Sequence, residues 1–129
     1  MDELGPCEPF AVHEAVYGAH HTLALSGELD IVSAAELEAR LREVSSDGTT
    51  GITLDLSRVT FMDSAGLRAV LYAKELADSH ECEFAVIPGP PNVQRLFELA
   101  ALLNVLPFEI GGRTPTMLGG ASGPEELAS

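Results

Sequence analysis

The chain has 129 residues, 7 Lys plus Arg against 20 Asp plus Glu, and 46% hydrophobic residues. One domain with a core of its own is the default at that length. A net charge of −13 excludes a binder that neutralises nucleic-acid phosphates, and the same sign argues against docking on an anionic membrane. Cys7 and Cys82 give neither a CxxC spacing nor a disulfide framework, which fits a reducing compartment. The acidic start MDELGPCEPF lacks the features of a signal peptide, and the apolar stretch 99–108 is short of the ~20 residues of a membrane helix. A soluble, cytoplasmic protein is expected.

Residues 1–9 hold three acids and two prolines and read as a flexible arm; residues 111–129, rich in Gly, Ser and Pro, read as a flexible tail. The body between them, 10–110, alternates strand and helix patterns. Strands are expected over 10–16 and 22–26, around a turn at 18–21. A helix over 33–45 carries Ala34, Leu37, Leu41 and Val44 on one face, with Ser33 as its expected cap and Glu36 completing a capping box. Residues 51–57 alternate Ile52, Leu54 and Leu56 with polar partners, a half-buried strand.

A second helix is expected over 64–79, apolar over a broad arc and rich in small residues, so that it lies close on a sheet. Residues 83–87 read as a short strand stopped by Pro88-Gly89-Pro90-Pro91. A third helix over 92–102 turns Val93, Leu96, Phe97, Ala100 and Leu103 inward, and 105–110 closes the body as an extended piece. The order β-β-α-β-α-β-α-β predicts an α/β domain, a mixed sheet covered by helices.

The most informative stretch joins strand to helix at Phe61-Met62-Asp63-Ser64-Ala65-Gly66-Leu67. A Ser at that place can cap the helix, and the helix start can hold an anion such as phosphate. Gly66 serves either a close approach by a partner or tight packing on the sheet. Chemistry alone leaves both readings open. No GxSxG elbow and no GxxxxGK loop occurs in the chain.

The histidines offer no ligand spacing: His20 and His21 are adjacent, and His13 and His80 stand apart from them, so no metal and no cofactor is expected. Cys82 reads as a small buried hydrophobe and Cys7 as a free thiol on the arm. Glu36, Glu38 and Glu43 read as a wet helix face. The chain is expected to have no catalytic residues.

The segment 61–67, preceded by Ile52-Thr53-Leu54-Asp55-Leu56-Ser57, resembles the phosphorylation loop of STAS-domain anti-sigma factor antagonists. Leu25-Ser26-Gly27-Glu28-Leu29-Asp30 resembles a second signature of that family, and Pro91-Asn92-Val93-Gln94-Arg95-Leu96-Phe97-Glu98-Leu99 its last helix. Three motifs in this order cover the whole body, 10–110. The resemblance implies a STAS-like fold and a bacterial partner-switching regulator of transcription in a stress response. Such a protein, unmodified, binds an anti-sigma factor that is a serine kinase. Phosphorylation of the serine matching Ser64 ends the binding, and a metal-dependent serine phosphatase restores it.

The partner surface so implied comprises Asp30, Asp63, Ser64, Ala65, Gly66, Leu67 and Arg68. Two positions depart from the pattern. Ala65 stands where many relatives carry Ser or Thr, leaving one hydroxyl in the loop. Arg68 stands where some have a small residue; one turn from Ser64, it can either meet an added phosphate or simply be solvated. Phosphate on Ser64 is expected to leave the fold intact, because the free amides of the helix start accept it, and to release the partner by repulsion among acidic groups. The alternative is a STAS scaffold or regulatory module of a stress-signalling assembly. A hydrolase using Ser64 lacks an oxyanion element and a placed Ser-His-Asp trio.

Overall fold

A computed structural model describes residues 9–45, 48–102 and 105–108. Strands β1 (Ala11–Tyr17) and β2 (His20–Leu29) form a hairpin closed by Gly18 and Ala19, with Gly18 at φ +64°. A two-residue hairpin loop requires that left-handed conformation, which glycine adopts without a Cβ penalty. The chain then runs through α1 (Ile31–Val44), β3 (Gly51–Met62), α2 (Ser64–Ser79), β4 (Glu83–Ile87) and α3 (Pro91–Leu99).

The four strands stand side by side in sequence order. β1 is antiparallel to β2, whereas β2, β3 and β4 run parallel, as strands joined by helical crossovers do. The expected order is met through α3. The last extended piece is a single parallel bridge from Phe108 to Val86, supported by the Val86 amide donating to the Pro107 carbonyl at 3.0 Å. Residues 109 and 110 of that piece, the tail 111–129 and most of the arm lie outside the described residues.

Period-two alternation puts Leu23, Leu25 and Leu29 of β2 on one sheet face, level with Ile52, Leu54 and Met62 of β3. That face packs in one core with Leu37 and Leu41 of α1 and Ala69, Val70, Ala73 and Ala77 of α2. The alanines let α2 lie close, as the small-residue arc predicts. Phe97 of α3 is fully buried and meets Phe108 edge to face, ring centres 5.1 Å apart.

Several boundaries differ from the sequence reading, each for a local reason. β2 begins at His20 and ends at Leu29, because His20 and His21 pair with Tyr17 and Val16 instead of turning. β3 runs five residues beyond Ser57; two register shifts against β2 let the longer strand keep pairing up to Leu29 with Met62. α1 starts at Ile31, with Asp30 as its cap. Ser33 is therefore the third helical residue and not the cap, and Glu36 plays no part in the capping box. α3 ends at Leu99, where Ala101 turns into the left-handed region at φ +58°, so Ala100 is exposed and not inward-facing.

Candidate functional site

β2 and β3 are parallel neighbours whose ends pair, Leu29 with Met62, and each hands over directly to a helix. Both handovers use the same device. Asp30 at φ −112°, ψ −165° caps α1, and Asp63 at φ −114°, ψ −168° caps α2. Asp30 Oδ1 accepts from the Val32 and Ser33 amides, both at 3.1 Å. Asp63 Oδ1 accepts from the Ala65 amide at 2.9 Å and the Gly66 amide at 3.3 Å. The Asp63 amide donates to the Leu29 carbonyl at 3.3 Å and so ties the two junctions together. Two capped helix starts thus stand next to one another at the carboxyl edge of the sheet.

The Asp30 cap is the more elaborate. Its own amide donates to Ser33 Oγ at 2.8 Å, and that hydroxyl donates to the Glu28 carbonyl at 2.7 Å. The Ser33 amide foremost, then the Ser33 hydroxyl and the Val32 amide, hold the Asp30 carboxyl below its ordinary value. In both caps the second carboxylate oxygen takes no hydrogen bond among the described residues.

Ser64 is the first residue of α2 and is exposed. It is not the cap; Asp63 is, because a carboxylate one residue earlier reaches two amides at once. Ala65 and Gly66 are buried, Leu67 half-buried and Arg68 exposed. A Cβ on Gly66 would stand 2.7 Å from Met62 Cγ and 2.8 Å from the Leu29 carbonyl oxygen. The glycine is thus accounted for by tight packing of α2 on the strand ends. Arg68 makes no ion pair among the described residues.

The histidines lie elsewhere. His20 Nε2 is 2.8 Å from the Thr53 hydroxyl, and His21 Nδ1 is 2.7 Å from Glu14, which also meets Arg40 at 3.2 Å. No group of three or more His, Cys, Asp or Glu residues is placed to hold a metal ion among the described residues. Cys82 is buried and its thiol donates to the Thr49 carbonyl at 3.0 Å.

The sequence reading passes over Ile31 and Val32, the first two residues of α1, which are 70% and 75% exposed. The signal for them was Asp30 with Ser33 three residues on, a capping box that begins the helix two residues earlier than the apolar stripe suggests.

Residues 12–107 match the family model described as "Mlab, STAS domain". The chain belongs to the STAS-domain family. Over 86 residues, 67% of this chain and 80% of the relative, it is 29% identical to the anti-sigma-B factor antagonist of Staphylococcus aureus. The crystal structure of an anti-sigma factor antagonist from Mycobacterium paratuberculosis is similar at TM-score 0.71 and 27% identity, covering 81% of this chain and 89% of the other. SpoIIAA in its unphosphorylated form has the same STAS fold at TM-score 0.66 and 22% identity, over 80% of this chain and 90% of that one. These STAS relatives are named as regulators and not as enzymes. Among the described residues no helix is long and apolar enough to cross a membrane.

Proposed function

We propose that this STAS domain is an anti-sigma factor antagonist that binds a serine-kinase anti-sigma factor while Ser64 is unmodified and releases it once Ser64 is phosphorylated. The observation that carries the reading is the exposed hydroxyl at the first turn of α2, set beside two aspartate caps on adjacent strand ends. In the transfer, Ser64 Oγ bonds to the γ-phosphorus of the kinase's ATP, the bond to the β-phosphate oxygen breaks, ADP leaves, and the hydroxyl proton passes to the kinase. A metal-dependent serine phosphatase hydrolyses the ester and resets the protein. Both partners, like the antagonist, are cytoplasmic in this scheme.

Asp30, Asp63, Ser64 and Arg68 offer side chains to the partner. Ala65, Gly66 and Leu67 serve it through the position they give the helix start. Phosphorylation adds about −1.5 to −2 charge and three acceptor oxygens next to Asp63. In water that charge is screened; under a closed interface it meets a neighbouring carboxylate in a poor solvent.

The test is capture from host lysate on the wild-type chain, Ser64→Ala and Ser64→Asp. An ATPase-fold kinase retained by the first two and lost by the third supports switching, and the purified kinase must then transfer phosphate to the wild type and not to Ser64→Ala. Identical captures on all three baits would reject the switch and favour a scaffold in a stress-signalling assembly.

A further inference from the structure

The first turn of a helix favours polar and acidic residues, which answer its unpaired amides and its dipole. α1 instead opens with Ile31 and Val32, both β-branched, both largely in solvent, and with no acid in the turn. Such residues are poorer helix formers than Ala, and their side chains at these exposures add little to the core. The buried face of α1 is supplied by Ser33, Ala34, Leu37, Leu41 and Val44. Ile31 and Val32 lie outside that buried face.

Its location gives it a use. Asp30 and Asp63 occupy the same position at the ends of neighbouring parallel strands, so Ile31 corresponds to Ser64 and Val32 to Ala65. The two helix starts flank each other on one edge. In the function proposed above, a kinase that brings its ATP to the Ser64 hydroxyl would also cover the adjoining start of α1. Each cap also has a carboxylate oxygen free of hydrogen bonds among the described residues, on a chain of net charge −13.

We infer that Ile31 and Val32 are the apolar anchors of the docking face, received by an apolar pocket of the Ser64 kinase that is rimmed by Arg or Lys side chains facing Asp30 and Asp63. This rests on the function proposed above and specifies the partner's chemistry. Apolar side chains at the centre of a contact supply affinity, whereas rim charges chiefly set encounter rate and register. The face therefore divides its work. Ile31 and Val32 hold, the caps orient, and Ser64 switches.

The experiment titrates the purified kinase, identified by its transfer of phosphate to Ser64, into wild type, Ile31→Ser, Val32→Ser, the double variant and the conservative Ile31→Val. Each serine variant is expected to weaken binding about tenfold and the double variant about a hundredfold, in line with losing burial of one or two aliphatic side chains. Ile31→Val is expected to stay within a fewfold of wild type. The ratio between wild type and double variant should persist in about 1 M salt, where the Debye length is about 3 Å and rim charges are silenced. Both positions are exposed, so folding is expected to hold; if the double variant loses its circular dichroism, Val32→Ala alone decides.

Kinase binding by wild type and by the double variant within twofold overturns this inference while leaving the switch standing. No binding or phosphorylation of the wild type overturns both. Light scattering that shows a dimer of the wild type dissolved by Val32→Ser would assign the pair to a second copy of the chain instead, and also overturns it.

Discussion

Replacing Gly66 by alanine tests whether the start of α2 is clamped against the sheet. The new methyl carbon would lie 2.7 Å from Met62 Cγ, 2.8 Å from the Leu29 carbonyl oxygen and 3.0 Å from Leu29 Cγ. Carbon contacts are comfortable at about 3.5–4.0 Å, so all three are too close. Methionine can swing aside by rotation about its flexible side chain. The Leu29 carbonyl cannot, because it belongs to the last pair of β2 and accepts the Asp63 amide. The first turn of α2 must then lift off the strand ends. Overpacking of this kind costs about 1–3 kcal/mol, and exchanging glycine for alanine in a helix returns up to about 1 kcal/mol. The net expectation is a loss of about 1–2 kcal/mol, which for a domain of this size lowers the melting temperature by about 4–8 °C per kcal/mol. Urea unfolding followed by circular dichroism reads it directly. A midpoint equal to or above wild type, with the native spectrum kept, would refute the clamp and reopen Gly66 as a residue reserved for a partner's approach.

Three further outcomes follow from the same geometry. Asp63→Ala leaves the Ala65 and Gly66 amides without their acceptor and should destabilise by about 1 kcal/mol, with Asp63→Asn restoring most of it; equal thermal melts for all three would remove Asp63 from the cap. Glu14 is held below its ordinary 4.5 chiefly by the hydrogen bond from His21, and Asp30 below 3.8 chiefly by the Ser33 amide. A carboxyl lowered by folding contributes stability that is present above its unfolded value and lost as pH falls through the folded one, so the acid side of the stability profile should flatten in Glu14→Gln and Asp30→Asn; parallel profiles in urea titrations would contradict this. Burial raises the Cys82 thiol above its ordinary 9.0, so a thiol reagent should label it far more slowly in the native protein than in urea, and equal rates would place it at the surface.

Much of this arrangement was legible from spacing. The helix 64–79 and the strand 83–87 coincide with α2 and β4 as the periodicity and the proline stop place them. Failures gathered where two signals compete. Ser64 looks like a cap because serine is a good one, but Asp63 before it reaches two amides and wins. The long β3 hides because bulges break the alternation after Ser57, and adjacent His20 and His21 read as a turn although hairpin register keeps both in the strand. The exposure of Ile31 and Val32 is hidden in the sequence for a different reason. Exposure at a helix start is a tertiary fact, and an apolar pair just before an apolar stripe looks like part of it.

The caps also alter the physics of the proposed switch. If the amides at the start of α2 were vacant, a phosphate on Ser64 could satisfy them and be welcomed by the free protein. Two of them, those of Ala65 and Gly66, already serve Asp63. The phosphate therefore joins a carboxylate instead of replacing one, and the outcome depends on solvent. Two like unit charges about 4 Å apart repel by about 1 kcal/mol in water and about 4 kcal/mol at an effective dielectric near 20, the value suited to a partly closed protein surface. The difference of about 3 kcal/mol per unit charge exceeds a hundredfold in affinity. In the proposed switch the modified loop would keep its fold when free in solution, since Ser64 is exposed and the Asp63 cap need not break. Beneath the proposed kinase the same group would be strongly disfavoured. On this reasoning the acid next to the serine would contribute to the proposed switch itself: it would secure the helix in both states and make only the bound, phosphorylated state unfavourable.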